Sequence, residues 1–289
     1  MFSKFQNHLS IHFPFLQKAK MLIAVSGGLD SMVLLDLISK TNIEFAVAHC
    51  NFQLRGDESE GDENFVKSYC NENSIQVFFQ KFDTKQFAED EKVSIQVAAR
   101  KLRYEWFYEL LANKNLDFVA TAHHLDDQLE TFLIHFSRGT GLDGLTGIPS
   151  QKDKIIRPLL TFSRTEIETF ANENNLKWRE DSSNASDKYL RNKIRHQVVP
   201  ILKELNPSFL DSFENTLQNL NQAQSLVEDA SRIVYRKVVK DVDNQGEWES
   251  LNVISINSSS DQLVGQFKGQ QVELPYQVYP TKIAGPNSE

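Results

Sequence analysis

Residues 21–31 read Met-Leu-Ile-Ala-Val-Ser-Gly-Gly-Leu-Asp-Ser: an apolar run, a loop made of Ser26, Gly27, Gly28 and Leu29, then Asp30 and Ser31 opening an amphipathic stretch. The run at 22–25 is too short for a helix and is cut off by glycine, whereas Met32, Val33, Leu34, Leu35, Leu37 and Ile38 continue at helical spacing. The order is therefore strand, loop, helix. Gly27 and Gly28 allow backbone angles and a close approach that a Cβ would forbid, so several N–H groups can face one anion at the positive end of the helix. Ser26 and Ser31 add hydroxyl donors. The plainer alternative is an ordinary strand-to-helix turn with Asp30 or Ser31 as N-cap.

There is no Gly-x-x-x-x-Gly-Lys-Ser/Thr and no Gly-x-Gly-x-x-Gly, which removes the main support for a Walker-type nucleotidase or a dinucleotide oxidoreductase. The loop resembles the Ser-Gly-Gly-x-Asp-Ser loop of the ATP pyrophosphatases, which split ATP into AMP and pyrophosphate. That resemblance implies adenylation of a carbonyl oxygen followed by displacement of AMP by a nitrogen or sulfur nucleophile.

At 289 residues and 40% hydrophobic composition, the chain can bury one full α/β core and a smaller second unit. No apolar stretch approaches a membrane span and residues 1–20 lack a signal-peptide pattern, so the expectation is a cytoplasmic protein with no membrane partner. Cys50 and Cys70 form no Cys-x-x-Cys and read as reduced structural thiols, against enzymes that thiolate tRNA through paired cysteines or an iron–sulfur cluster.

The net charge is −8, but residues 241–289 hold seven acidic and two basic side chains and carry most of the excess. Residues 177–203 carry a local +4, from Lys177, Arg179, Lys188, Arg191, Lys193, Arg195 and Lys203 against Glu180, Asp181 and Asp187. Such a stripe is either a phosphate-binding face or a solvated helix face.

Apolar runs at 43–48, 75–79 and 116–120 alternate with helical patterns near 62–69, 94–111 and 125–136. This alternation predicts an α/β fold with a doubly wound parallel sheet. Ligands in such sheets lie at the carboxyl ends of the strands, where Ser26, His49 and Thr121 would converge. Residues 138–148, with four glycines, read as a flexible loop over that cleft, 163–166 as a capping box, and 207–240 as a long helix. The expected division is a catalytic domain at 1–205, a helical region at 206–240 and an acidic, divergent or incomplete tail at 241–289. In that tail 257–261 reads as a polar run and 271–279 as strand-like.

Placed on a helix, His123, Asp127 and Glu130 fall within about 60° of one another, with Leu125, Leu129, Phe132, Leu133 and Phe136 opposite. Two carboxylates beside a phosphate loop can bind Mg²⁺ through oxygen, or hold and deprotonate an amine. In the helix at 94–111, Arg103 projects from a stripe of Ala99, Leu102, Trp106 and Leu110. Directed inward it needs a partner: a substrate phosphate, the Asp127 and Glu130 carboxylates, or a structural ion pair.

From 20 to 200 the chain resembles the bacterial tRNA(Ile)-lysidine synthetases. The residues that carry this are the Ser26–Ser31 loop, His49-Cys-Asn-Phe-Gln-Leu-Arg55, Ala98-Ala-Arg-Lys-Leu-Arg-Tyr104, the motif from His123 to Thr131, Arg157-Pro-Leu-Leu, and Asp181-Ser-Ser-Asn184 followed by Tyr189-Leu-Arg-Asn-Lys-Ile-Arg195. Phe52 departs from the histidine common at its position, and no role is carried to it. The resemblance implies ATP as co-substrate, Mg²⁺ on Asp30, free L-lysine, and a tRNA(Ile) with a CAU anticodon modified at cytidine 34. It further implies that Ser26, Gly27, Gly28, Leu29, Asp30 and Ser31 hold the phosphates, and that His123 and Arg103 steady the reacting groups. Asp127 and Glu130 would bind lysine, and Arg55, Arg191, Asn192 and Arg195 would face the RNA. Assembly stays open, a homodimer being one option. The competing readings are another ATP pyrophosphatase acting on a small molecule or a different tRNA, and a non-catalytic RNA-binding paralogue.

Overall fold

The computed structural model describes residues 1–180 and 190–238, together with the backbone of three strands at 252–256, 263–267 and 270–274. Residues 1–217 form one compact unit and 218–289 a second.

The first unit is built on strands β1 (Lys20–Ala24), β2 (Glu44–Asn51), β3 (Val77–Lys81), β4 (Phe118–Ala120), β5 (Gln151–Lys152) and β6 (Ile155–Ile156), in the order β3-β2-β1-β4-β6-β5. All neighbours are parallel except the edge pair β5–β6. The strand order, which runs outward from β1 through β2 to β3 on one side, turns to the other side with β4, and this switch point between β1 and β4 is where such sheets open a ligand crevice. Successive side chains alternate between two cores. Met21, Ile23, Val47, Ala120 and Ile156 pack on one face; Leu22, Ala46, Ala48, Val119 and Ile155 pack on the other.

The first face is covered by α1 (Phe2–His12), α2 (Leu29–Ser39), α3 (Asp57–Glu72) and α8 (Arg164–Glu173), and the second mainly by α5 (Ile95–Lys114). Helices on both faces are the doubly wound arrangement expected. The chain also forms α4 (Thr84–Asp90), α6 (Leu125–Ser137), α7 (Leu142–Leu145), α9 (Leu190–Lys193), α10 (Val199–Leu205) and α11 (Phe209–Val238). A third core joins α6 to the segment after it, through Leu125, Leu129, Ile194, Val199, Phe213 and Leu217. In the second unit β7 (Asn252–Ile256), β8 (Leu263–Phe267) and β9 (Gln270–Leu274) pair antiparallel. Of these only β9 matches the strand expected at 271–279; residues 257–261 and 275–279 lie outside the described residues.

Three local expectations change. The N-cap of α2 is Gly28, not Asp30 or Ser31. Phe136 is 64% exposed rather than part of the packed face of α6. The glycine-rich stretch at 138–148 is tied to α6: His135 Nδ1 bonds to Gly144 O at 2.8 Å, and Ile148 N–H donates to Gln128 Oε1 at 2.5 Å. Gly147, at φ +77°, makes the turn between them.

His8 of α1 sits edge-on to Phe13 and Phe162, with ring centroids 5.7 and 5.9 Å away. Burial, reinforced by His12 and Lys4, lowers its pKa from 6.5 to about 4. An unfolded chain therefore takes up this proton first, and stability contributed by neutral His8 is lost as pH falls from 6.5 towards about 4. Replacing His8 by Phe should make the decline of the urea midpoint over that window shallower; equal slopes in the two proteins would rule His8 out as its source.

Candidate active site

The loop between β1 and α2 has the shape its residues require. Gly27 adopts φ +92°, and a Cβ there would meet Val66 and Phe65 at 3.4 and 3.5 Å. Ser31 Oγ donates to Gly28 O at 2.9 Å and lies 3.2 Å from Ser26 Oγ, while Gly28 N–H donates to Ser26 Oγ at 3.3 Å. Gly28 offers no side-chain cap to α2. The first turn of a buried helix thus presents its N–H dipoles to the cleft, a ready anion site.

The loop forms one wall of a cleft of about 460 Å³, whose opposite wall is the end of β4 and the start of α6. His123 precedes α6 instead of lying on it. Its Nδ1 is 2.9 Å from Thr121 Oγ1, and burial lowers its pKa to about 4, so the ring is neutral near pH 7. The N-cap of α6 is His124, whose backbone N–H donates to Asp127 Oδ2 at 3.0 Å. His124 Nε2 lies 3.5 Å from Asp127 Oδ2 and 3.7 Å from Asp30 Oδ1, which brings both carboxylates to one point of the cleft. Burial raises the Asp127 carboxyl, but His124, His123, the His124 N–H and Arg191 together hold it below its ordinary value.

Glu130 has a different environment. Only 1% exposed, it receives Arg195 Nε at 2.6 Å and Nη2 at 3.0 Å, with Arg191 Nε 3.6 Å away. Burial raises its pKa while Arg195 pulls it back. Its carboxylate is thus engaged by arginines, and it is not among the residues that line the cleft, whereas Asp127 is. Arg195 also reaches Asp127 at 3.5 Å, Arg191 donates to Thr131 Oγ1 at 2.6 Å, and Lys203 pairs with Asp126 at 2.6 Å. Arg195 stands on a π-helical turn (Ile194–Val198), widened where Pro200 has no N–H to give His196. Arg191, Arg195 and Lys203 of the basic stripe are therefore paired with α6, and Arg191 also lines the cleft. Asn192 lies on α9; Asp181, Asn184, Asp187, Lys188 and Tyr189 lie outside the described residues.

Arg103 lines the cleft, and its partner is a ring: the guanidinium lies 5.1 Å over Phe52, itself stacked 5.5 Å from Phe82. Among the described residues no carboxylate pairs with it. Arg55 is held away from the cleft by Asp62 at 2.7 Å. His49 is turned inward, Nδ1 bonding to Val25 O at 2.9 Å, so Ser26 and Thr121 reach the cleft without it. Two lining arginines were missed as site candidates. Arg164, read only as capping-box filler, pairs with Asp30. Arg179, read only as stripe charge, bonds Asp62 at 2.5 Å, and its backbone N–H donates to Gly27 O at 3.0 Å. Both cysteines are free; burial pushes Cys50 up to about 12 and Cys70 up to about 11, so neither is a thiolate near neutral pH.

Among the described residues no helix is long and apolar enough to cross a membrane. The chain is 44% identical over 200 residues to the tRNA(Ile)-lysidine synthase of Porphyromonas gingivalis, a match covering 69% of this chain and 44% of that protein. It is 40% identical over 225 residues to the tRNA(Ile)-lysidine synthase of Bacteroides thetaiotaomicron, covering 78% and 51%. The chain thus spans about half the length of these curated relatives. Among solved structures, the U34-tRNA thiolase of Methanococcus maripaludis has the same fold, with a TM-score of 0.60 at 20% identity over 75% of this chain and 78% of that one. A family model described as the PP-loop domain matches residues 1–202, and by that match and the loop geometry the chain belongs to the PP-loop family.

Proposed function

We propose that the chain joins the ε-amino group of L-lysine to C2 of cytidine 34 in a tRNA(Ile) with a CAU anticodon, at the expense of ATP. The observation that carries this reading is the meeting of an anion-binding loop and the Asp127 carboxylate in one cleft. The names of relatives 40–44% identical to the chain support it.

In this reading O2 of the cytidine attacks the α-phosphorus of ATP, and the bond to pyrophosphate breaks. The loop N–H groups with Ser26 and Ser31 receive the charge that builds on the departing phosphates. Asp30, a hard oxygen donor beside that loop, fits Mg²⁺, which is usually held by one or two carboxylates together with phosphate oxygens. When bound, the ion neutralises phosphate charge. Arg103 over Phe52 gives the base a cationic and aromatic platform, and neutral His123 offers a hydrogen bond rather than a competing charge. Asp127 holds the lysine ammonium and takes a proton from it; the freed nitrogen adds at C2, the C2–O2 bond breaks, and AMP leaves with that oxygen. Glu130 acts by fixing Arg195 and Arg191 beside Asp127.

Incubation with ATP, labelled lysine and transcripts differing only at position 34 tests the whole reading. Label should enter RNA only with cytidine at 34 and in step with AMP; AMP formation indifferent to tRNA would point to a small-molecule substrate instead. The two carboxylates should separate in kinetics and stability. Asp127→Asn is expected to raise the lysine KM about tenfold or more with little change in the ATP KM. Glu130→Gln should instead lower unfolding free energy by about 1.5–3 kcal/mol, because a buried charge-assisted bond to Arg195 is weakened. An unchanged lysine KM in Asp127→Asn would reject its assignment.

A further inference from the structure

Arg164 is the first residue of α8, and its backbone N–H is fixed by Asp126 Oδ2 of α6 at 2.7 Å. From that anchor the side chain enters the cleft, where Nη1 bonds to Asp30 Oδ1 beside Ser26, Gly28 and Ser31. Its side chain is 38% exposed and that of Asp30 29%. An ion pair so open to solvent adds little to stability, so the fold itself does not account for a guanidinium at this place. A planar fork of donors at an anion-binding loop matches phosphate oxygens in pairs.

We propose that Arg164 is a phosphate-binding residue of the cleft, whose charge Asp30 holds in place until a divalent cation takes that carboxylate. One carboxylate cannot fully neutralise both a guanidinium and a divalent ion. When the cation takes Asp30, the outer phosphates of the nucleotide become the partner of Arg164. Binding of the ion and binding of the phosphates are thereby coupled through a single side-chain exchange. The inference rests on the cleft being the ATP site, as read above.

Calorimetric titration of the full chain with inorganic pyrophosphate and with ATP tests it, in EDTA and in excess Mg²⁺, with thermal melting as the check on folding. With Mg²⁺, Arg164→Gln should weaken both ligands about tenfold, and Arg164→Lys, which retains charge without the fork, should fall between. In EDTA, Asp30→Asn should bind pyrophosphate several-fold more tightly than the wild type, and the double variant Asp30→Asn/Arg164→Gln should lose that gain. A gain that persists in the double variant would overturn the proposal, since removal of a negative charge would then suffice. Unchanged affinity in Arg164→Gln while the wild type binds would overturn it alone; absence of any binding by the wild type would overturn the ATP reading with it.

Discussion

Asp126, Asp127 and Glu130 are crowded into the first turns of α6, all at least largely buried, and carboxylates in that position must find cations. This requirement organises the chain after α8. Lys203 answers Asp126, Arg195 answers Glu130 and Asp127, and Arg191 adds to Glu130. The third apolar core, from Leu125 to Leu217, lies in the same helices. Charge compensation and apolar burial thus dock the same segment on the same helix, and Asp127 retains a path to the cleft because Arg195 lies nearer Glu130.

The two sides of the cleft divide the chemistry. At the loop, dipoles and hydroxyls line the cleft beside Asp30. At α6, a carboxylate sits beside a neutral imidazole. Between them Arg103 rests on an aromatic ring, so its charge is supported without being cancelled. In the proposed function a polyanionic nucleotide and a cationic amine would therefore meet side by side in one crevice, each against the sign it needs.

Much of this was legible in the chain. The strand-loop-helix at 20–39, the alternation of β2 to α6 and the capping box at Ser163 follow from short-range pattern, and short-range physics forms them. β5 and β6 were not legible, because two residues carry no periodicity and their pairing is set by neighbouring strands. His123 was placed on the helix two residues early; its ring is fixed by Thr121 in the preceding loop. The partners of Arg195, Arg164 and Arg179 could not be read, since Glu130, Asp30 and Asp62 are far away in sequence and charge counting does not distinguish an inward pair from an outward face.

The bond from Arg179 N–H to Gly27 O bears on the order in which the protein is made. The glycine that gives the phosphate loop its shape is secured by a residue about 150 positions downstream, and β6, which extends the sheet beyond the switch point, also follows β1 only after a long stretch of chain. During synthesis β1 and β2 can pair early, but the loop's closing contact must wait for the chain to emerge past Arg179. A nascent or truncated chain ending before that point carries the whole Ser26–Ser31 sequence without the contact that fixes its geometry.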